Sequence, residues 1–280
     1  MKKVLITGAD SYIGTSFENY MRHWVSEYQV DTVDVVADDW KQFDFGSYDA
    51  VFHVAGIAHQ KETVENAALY YKVNRDLAVE IAQKAKASGV RQFIFMSSMS
   101  VYGMDRGIIT PDKLPEPQSH YGKSKLEAEQ ALQGLADHTF LLTVLRPPMV
   151  YGKNCRGNFQ LILKLAKKSP IFPSVSNQRS MISIENLCAF VHLVIEREEA
   201  GVFFPQNRAY VNTTDMVRVI AKTLGRRILF SRLAGVAVNA MVPFVGAARK
   251  AFSSLIYQDC EQHGFCYCKD NFEESVRKSV

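Results

Sequence analysis

The chain has 280 residues, 47% of them hydrophobic and 22% charged, a composition that suits a globular protein with a large core. Its net charge of +4 is small and forms no long basic block, which excludes nucleic acid as the favoured partner. Five cysteines, an odd number, in a chain that opens without a secretion signal lead us to expect free thiols and a cytoplasmic protein.

Lys3 to Thr7 is a short apolar run ending at Gly8, which predicts a buried parallel strand. A turn through Gly14 and a helix from Thr15 to about Tyr28 follow. In that order the glycines let a dinucleotide pyrophosphate approach the backbone, and the helix N-terminus supplies amide donors. A second strand, Val30 to Val33, ends at Asp34. A carboxylate there accepts from both ribose hydroxyls and repels a 2′-phosphate, so NAD is expected rather than NADP.

Phe43 to Phe45 reads as a very short third strand. Asp49 to Val54 reads as a fourth, leading into Ala55 and Gly56, small residues beside which a cofactor can pass. A long helix is predicted from Asn66 to Ser88, with Leu69, Val73, Leu77, Ile81 and Ala85 at helical spacing. The next strand, Gln92 to Ser97, delivers Ser97-Ser98-Met99-Ser100-Val101-Tyr102-Gly103 at its carboxyl end, where open α/β sheets bind ligands. Pro111, Pro115 and Pro117 make a loop of Gly107 to Gln118. A helix then runs from Tyr121 to about Leu135, and a strand from Leu141 to Arg146.

This alternation predicts a doubly wound parallel α/β sheet of the Rossmann type, carrying a small C-terminal lobe. Later elements are sparser: helices from Gly157 to Lys168, Asn186 to Glu198 and Thr214 to Leu224 (with Thr213 or Thr214 as its cap), and short strands near Ile182 and Val202. The expected division is a dinucleotide-binding domain of residues 1–153, with 181–210 returning to it, and a substrate lobe of 154–180 and 211–280. The longest apolar tract, Leu233 to Ala248, is broken by Asn239 and Pro243 and is too short for a membrane span. A buried helix is expected there, an interfacial one being the alternative. Cys260, His263, Cys266 and Cys268 have zinc-donor chemistry, but the alternation of Phe265-Cys-Tyr-Cys268 reads as a strand of buried thiols and no metal is expected.

Tyr121 and Lys125 share one helix face. A tyrosine hydroxyl is a poor base near neutrality, but an ammonium one turn away favours its phenolate, as a positively charged nicotinamide would.

Five motifs stand in order: Thr7-Gly8-x-x-Ser11-x-x-Gly14, His53-x-Ala55-Gly56, Ser97-Ser98-x-Ser100-Val101-Tyr102-Gly103, Tyr121-Gly-Lys-Ser-Lys125 and Arg146-Pro147-x-x-Val150-Tyr151-Gly152. Together they resemble the extended short-chain dehydrogenase/reductases of the NAD-dependent epimerase/dehydratase group, and are similar to UDP-glucose 4-epimerases and their bacterial polysaccharide relatives. The resemblance is dense to about residue 200 and thin beyond.

It implies Tyr121 as acid/base, Lys125 lowering its pKa and holding the nicotinamide ribose, and Ser98 on the reacting sugar oxygen. It places Gly8, Ser11, Tyr12, Ile13 and Gly14 at the pyrophosphate, Asp34 at the adenine ribose, and Asp44 with Phe45 at the adenine. Ala55, Gly56 and Asn74 would pass beside the cofactor. Ser100, Asn158 and Arg179 join Ser98 and Tyr121 on the substrate side, the arginine suiting a diphosphate.

Four departures stand out. Ser11 replaces a usual glycine, and His120 a common proline. His59 lies beside the cofactor loop. Met99 and Ser100 stand where sugar dehydratases carry Asp-Glu, and a methionine cannot transfer a proton. The expected activity is 4-epimerisation of a UDP-hexose or UDP-N-acetylhexosamine through a 4-keto intermediate. An NAD(P)H-dependent 4-keto-sugar reductase is the alternative, and a non-catalytic NAD-binding protein a third reading. The resemblance also implies a homodimer built on the helices that start near Asn66 and Tyr121.

Overall fold

In the computed structural model, which describes residues 1–58, 60–242, 244–258 and 264–280, the chain forms two compact units. The first comprises Met1–Gly103, Leu114–Pro147 and Cys188–Pro205, and the second Met104–Lys113, Pro148–Leu187 and Gln206–Val280.

In chain order the first unit holds β1 (Lys2–Thr7), α1 (Tyr12–Met21), β2 (Tyr28–Val33), β3 (Ala50–His53), α2 (Ala67–Tyr71), a π turn (Lys72–Asp76), α3 (Leu77–Ala87) and β4 (Gln92–Met96). The strand β5 (Gly107–Ile109) belongs to the second unit, and α4 (His120–Gln133) and β6 (Leu141–Leu145) to the first. The second unit carries β7 (Met149–Tyr151), α5 (Asn158–Lys168), β8 (Ile171–Pro173) and β9 (Met181–Ser183), where α6 (Ile184–Arg197) begins. After β10 (Gly201–Phe203) in the first unit come α7 (Thr213–Thr223), β11 (Leu229–Ser231), α8 (Arg232–Met241), α9 (Gly246–Phe252), β12 (Leu255–Tyr257) and α10 (Phe272–Lys278) in the second.

The central sheet is all parallel, in the order β10-β6-β4-β3-β1-β2. Its inner strands are largely apolar runs because both faces are covered, whereas the edge strand β2, Tyr-Gln-Val-Asp-Thr-Val, is mixed. Leu5, Val51, Phe93 and Phe95 face one side, against Ala78, Ile81 and Ala85 of α3 and Ala128 and Leu132 of α4. On the other side Phe17 of α1 meets Phe52 edge-on, ring centroids 5.2 Å apart. Burying each such ring contributes about 1.5–3 kcal/mol. Chain order reverses at β1, which pairs with β2 on one side and β3 on the other, so a crevice opens at the carboxyl ends of β1 and β3.

Several expectations need correction. Residues 43–45 form no strand: β2 is the sheet edge, and Phe43 and Phe45 instead pack their rings among Trp40 and Tyr48. Aromatics two apart mimic a strand's alternation when a loop folds over a core. The helix after Gly14 starts earlier and ends earlier than predicted, since Tyr28 already belongs to β2. In the long helical stretch, Tyr70, Asn74 and Ala78 are buried while Leu69 stays 43% exposed, because the π turn displaces the inward face from the predicted line. Asn212, not a threonine, caps α7, accepting from Thr214 N and Asp215 N. Gly107–Ile109 is a strand paired with β12. Residues 265–268 are not a strand, and Cys266 is exposed. Cys260, His263 and His59 lie outside the described residues.

The apolar tract was expected to be buried, yet Leu233, Val236 and Met241 of α8 are 85%, 69% and 51% exposed. Length and hydrophobicity alone do not say which way a short helix faces.

Candidate active site

The first βα turn is a close-packed cradle. Gly8 has φ +111°, and a Cβ there would lie 2.8 Å from Ala55 N; a Cβ on Gly14 would lie 2.6 Å from Ser11 Oγ. Ser11 Oγ accepts from Gly14 N at 3.0 Å and so caps α1. The serine that replaces a glycine therefore turns toward the helix. Tyr12 and Ile13 occupy the first turn of α1. Asp34, at the end of β2, is exposed and accepts from Val36 N at 2.9 Å. Asp44 is exposed and accepts from Gly46 N, whereas the Phe45 ring is core, leaving only its backbone for an adenine.

Ala55 and Gly56 follow β3. A Cβ on Gly56 would stand 2.9 Å from Asn74 Oδ1 and 3.3 Å from Lys125 Nζ, so only glycine lets this loop pass. Asn74, fully buried in the π turn, accepts from Ile57 N at 2.9 Å and donates to Ile57 O and Ser124 Oγ. It ties the loop after β3 to α4. The residues present fit a dinucleotide: two close approaches of bare backbone, a helix N-terminus and a carboxylate at the next strand end.

Tyr121 and Lys125 lie on the first turns of α4, which Ser119 caps by accepting from Gly122 N at 3.0 Å. A Cβ at Gly122 would fall 2.6 Å from Ser100 O, so glycine lets α4 press against the turn that bears Ser98. Ser98 hydrogen-bonds the Tyr121 hydroxyl, accepts from Ser100 N and donates to Ser100 Oγ, each at 3.1 Å. Ser97 points elsewhere, donating to Glu129.

The expected lowering of the tyrosine pKa is not the net result within the protein. Burial pushes Tyr121 up; the Ser98 hydrogen bond opposes this and Tyr70 adds to it. Lys125 Nζ donates to Met96 O at 2.8 Å and lies 4.6 Å from the centre of the Phe95 ring. Burial lowers its pKa to about 8, against the raising effect of Glu129. The ammonium is thus fixed by a carbonyl and a ring, poised to deprotonate more easily than a surface lysine.

Three groups near this centre were not assigned roles from sequence. Glu129 follows Lys125 by one turn and holds Arg146, with Nη2 to Oε2 at 2.5 Å and both groups nearly buried. Arg146 also donates to the Tyr102 hydroxyl at 2.8 Å. The i, i+4, i+8 row of Tyr, Lys and Glu was the available signal.

Glu62 comes from the loop after β3. Its oxygens accept from His120 N at 2.9 Å and Tyr121 N at 3.0 Å, clamping the start of α4 with a negative charge. A proline at 120 could not donate the first bond, so the departure at His120 has a structural use. Nothing in the local sequence signals this pairing. We expect Glu62→Ala to cost about 1 kcal/mol of stability and to lower kcat more than it raises KM. Thermal melts and initial rates read both.

His53, the last residue of β3, is fully buried between Phe93 and Phe95, with Nδ1 2.7 Å from Thr7 Oγ1. Burial lowers its pKa from the ordinary 6.5 to about 3, the Lys125 charge adding to this. The folded value lies below the unfolded one. Its neutral form therefore stabilises the fold fully above pH 6.5, and this is lost as the pH falls toward 3. A His53→Gln protein should lose less melting temperature over that window than the wild type.

Asn158 is exposed at the start of α5, after Gly157 at φ 92°. Arg179 is 9% exposed, its Nη1 donates to Ser253 O at 2.9 Å, and its Nε lacks a hydrogen-bond partner among the described residues. Burial lowers its pKa, with Asp105 opposing. Both residues belong to the second unit, while Ser98, Tyr121 and Lys125 belong to the first.

A doubly wound sheet with a glycine turn after β1 and a Ser-Tyr-Lys set after β4 defines a nicotinamide-dependent short-chain dehydrogenase/reductase. The profile of the NAD dependent epimerase/dehydratase family matches residues 4–211. The chain belongs to that family. It is 32% identical to a UDP-glucose 4-epimerase of Vibrio cholerae over 252 residues, 80% of this chain and 76% of that one. It is 26% identical to the N-acetyl-alpha-D-glucosaminyl-diphospho-ditrans,octacis-undecaprenol 4-epimerase of Escherichia coli O157:H7, across 80% of this chain and 73% of that one. Its fold matches a UDP-glucuronic acid 4-epimerase of Bacillus cereus in complex with NAD, with TM-score 0.76, 18% identity and coverage of 99% and 95%. It also matches a dTDP-4-dehydrorhamnose reductase of Bacillus anthracis in complex with NADP, with TM-score 0.75, 18% identity and coverage of 100% and 98%.

Proposed function

We propose that the protein is an NAD-dependent 4-epimerase of a UDP-hexose or UDP-N-acetylhexosamine. The observation that carries this reading is Ser98 hydrogen-bonded to Tyr121 one turn from Lys125, beside Met99 where a dehydratase needs an acid. The 4-epimerase relative that spans most of both chains supports it.

Bound NAD supplies a hydride acceptor that becomes the donor, so no external reductant is consumed. Tyr121 Oη removes the proton of the C4 hydroxyl and returns it when the ketone is reduced from its other face. Ser98 Oγ holds the C4 oxygen and orients it toward Tyr121. Lys125 supplies positive charge one turn from Tyr121 and would hold the nicotinamide ribose. Asn74 keeps the loop at Ile57 against α4. Asp34 receives the adenine ribose, and Asn158 with Arg179 the sugar diphosphate, in a substrate lobe of residues 154–180 and 211–280. Leu69, 43% exposed, with the half-buried Val73 and Leu77, leaves an apolar strip suited to a homodimer. The reading places the protein in the cytoplasm, where such substrates are made.

The test is incubation of purified protein with a panel of UDP-hexoses without reductant. Interconversion of C4 epimers supports the proposal. Turnover only of 4-keto-sugars, with stoichiometric loss of NADH or NADPH, would establish the reductase instead, since the same three residues serve both. Cofactor binding with no turnover of any sugar would favour a binding protein.

A further inference from the structure

α8 is pressed onto the second unit by its backbone. A Cβ on Gly235 would lie 2.0 Å from Ser174 O, so this face of the helix sits at contact distance from the residue that follows β8. At about 100° per residue, Val236, Ala240, Leu233, Ala237 and Met241 occupy one continuous arc away from Gly235. All five are exposed. Leu233 is 85%, Val236 69% and Met241 51% exposed, and Phe244 just beyond the helix is 86% exposed. Arg232 and Asn239 bound the arc on one side. The strand before α8 adds Leu229, 65% exposed, whose register partner Ile171 is 52% exposed. Isolated exposed apolar residues are ordinary, but a contiguous set of this kind marks an interaction surface.

The charge of the same stretch says what it meets. From Met216 to Gln258 the sequence holds seven Lys or Arg and no Asp or Glu, although 29 of the 280 residues are acidic; Arg218 and Arg249 pair with Asp215 and Asp105 from outside the stretch, while Arg226, Arg227 and Arg232 flank the start of α8. Outside that stretch the 29 acidic residues outnumber the remaining 26 basic ones, so the whole net positive charge resides here. A second copy docking through this face would bring two such basic stretches together. An anionic surface is complementary to it. No helix among the described residues is long and apolar enough to cross a membrane, so the geometry suits a helix lying in the interfacial plane.

We propose that α8 and Phe244 dock the protein onto an anionic phospholipid bilayer, the apolar arc entering the headgroup boundary while Arg226, Arg227 and Arg232 meet lipid phosphates. The test is co-sedimentation of the NAD-loaded protein with vesicles of phosphatidylcholine containing phosphatidylglycerol, against pure phosphatidylcholine vesicles. Binding to the anionic vesicles that weakens with added salt is expected. Leu233→Asp/Val236→Asp should weaken it by about tenfold or more, and Arg226→Glu/Arg227→Glu/Arg232→Glu should abolish the lipid preference. Leu233→Ser/Val236→Ser serves as the milder control should the aspartates fail to fold. Equal sedimentation with both vesicle types overturns the proposal, as does unchanged binding by the serine variant. So does a concentration-dependent dimer in ultracentrifugation that these substitutions dissociate while vesicle binding persists.

Discussion

Tyr121→Phe should lower turnover of the active UDP-hexose by about a thousandfold while leaving the fold and NAD content intact. The substitution removes one oxygen from a ring that packs edge-on against Tyr70 at 6.4 Å between centroids, so the packing is preserved. What is lost is the hydroxyl proposed to take the C4 hydroxyl proton, and its hydrogen bond to Ser98. Because burial raises the hydroxyl's pKa, the phenolate is scarce until positive charge is brought close to it. Rates measured from low to high pH should rise through a limb in the wild type that the phenylalanine protein lacks. Near-wild-type rates in that protein would remove Tyr121 from the mechanism.

The largest stability effect should come from Glu129→Ala. Glu129 and Arg146 have side chains only 6% and 11% exposed, and they meet at 2.5 Å. Removing the carboxylate leaves the nearly buried guanidinium without its ion-pair partner, although it still donates to the Tyr102 hydroxyl. Breaking a buried pair of this kind costs about 3–5 kcal/mol, which for a protein of this size lowers the melting temperature by roughly ten degrees. Glu129→Leu combined with Arg146→Met should be milder than either single change, since no charge is then stranded. Glu129 also raises the pKa of Lys125. A partly folded Glu129→Gln protein should therefore lose activity at lower pH than the wild type, as its lysine deprotonates sooner. Thermal melts and pH profiles separate the two effects.

The elements legible in the sequence are those whose partners lie within a few residues. The N-terminal strand, its glycine turn and helix, and the spacing of Tyr121 and Lys125 are local patterns of period or of backbone freedom. So is Asp34 at the end of β2. The lapses have the same root. Phe43 to Phe45 alternate like a strand, but their rings pack against Trp40 and Tyr48 and the backbone pairs with nothing in the sheet. Leu69, Val73 and Leu77 form a helical row, but the π turn at Lys72–Asp76 turns Tyr70, Asn74 and Ala78 inward instead.

By itself the sequence determined the parallel sheet, the glycine turn after β1 and the family, and it nominated Ser98, Tyr121 and Lys125, because each follows from the order of short motifs along the chain. Only the tertiary structure decided that Glu62 clamps the amides of His120 and Tyr121, that Glu129 joins Ser97 to Arg146, and that Lys125 rests on Met96 O. It also decided that α8 turns its apolar arc outward. These contacts join residues far apart in sequence, or depend on which face a neighbour covers. A polar group or an apolar arc is satisfied by whatever the fold brings beside it, and that neighbour is written nowhere in the local pattern.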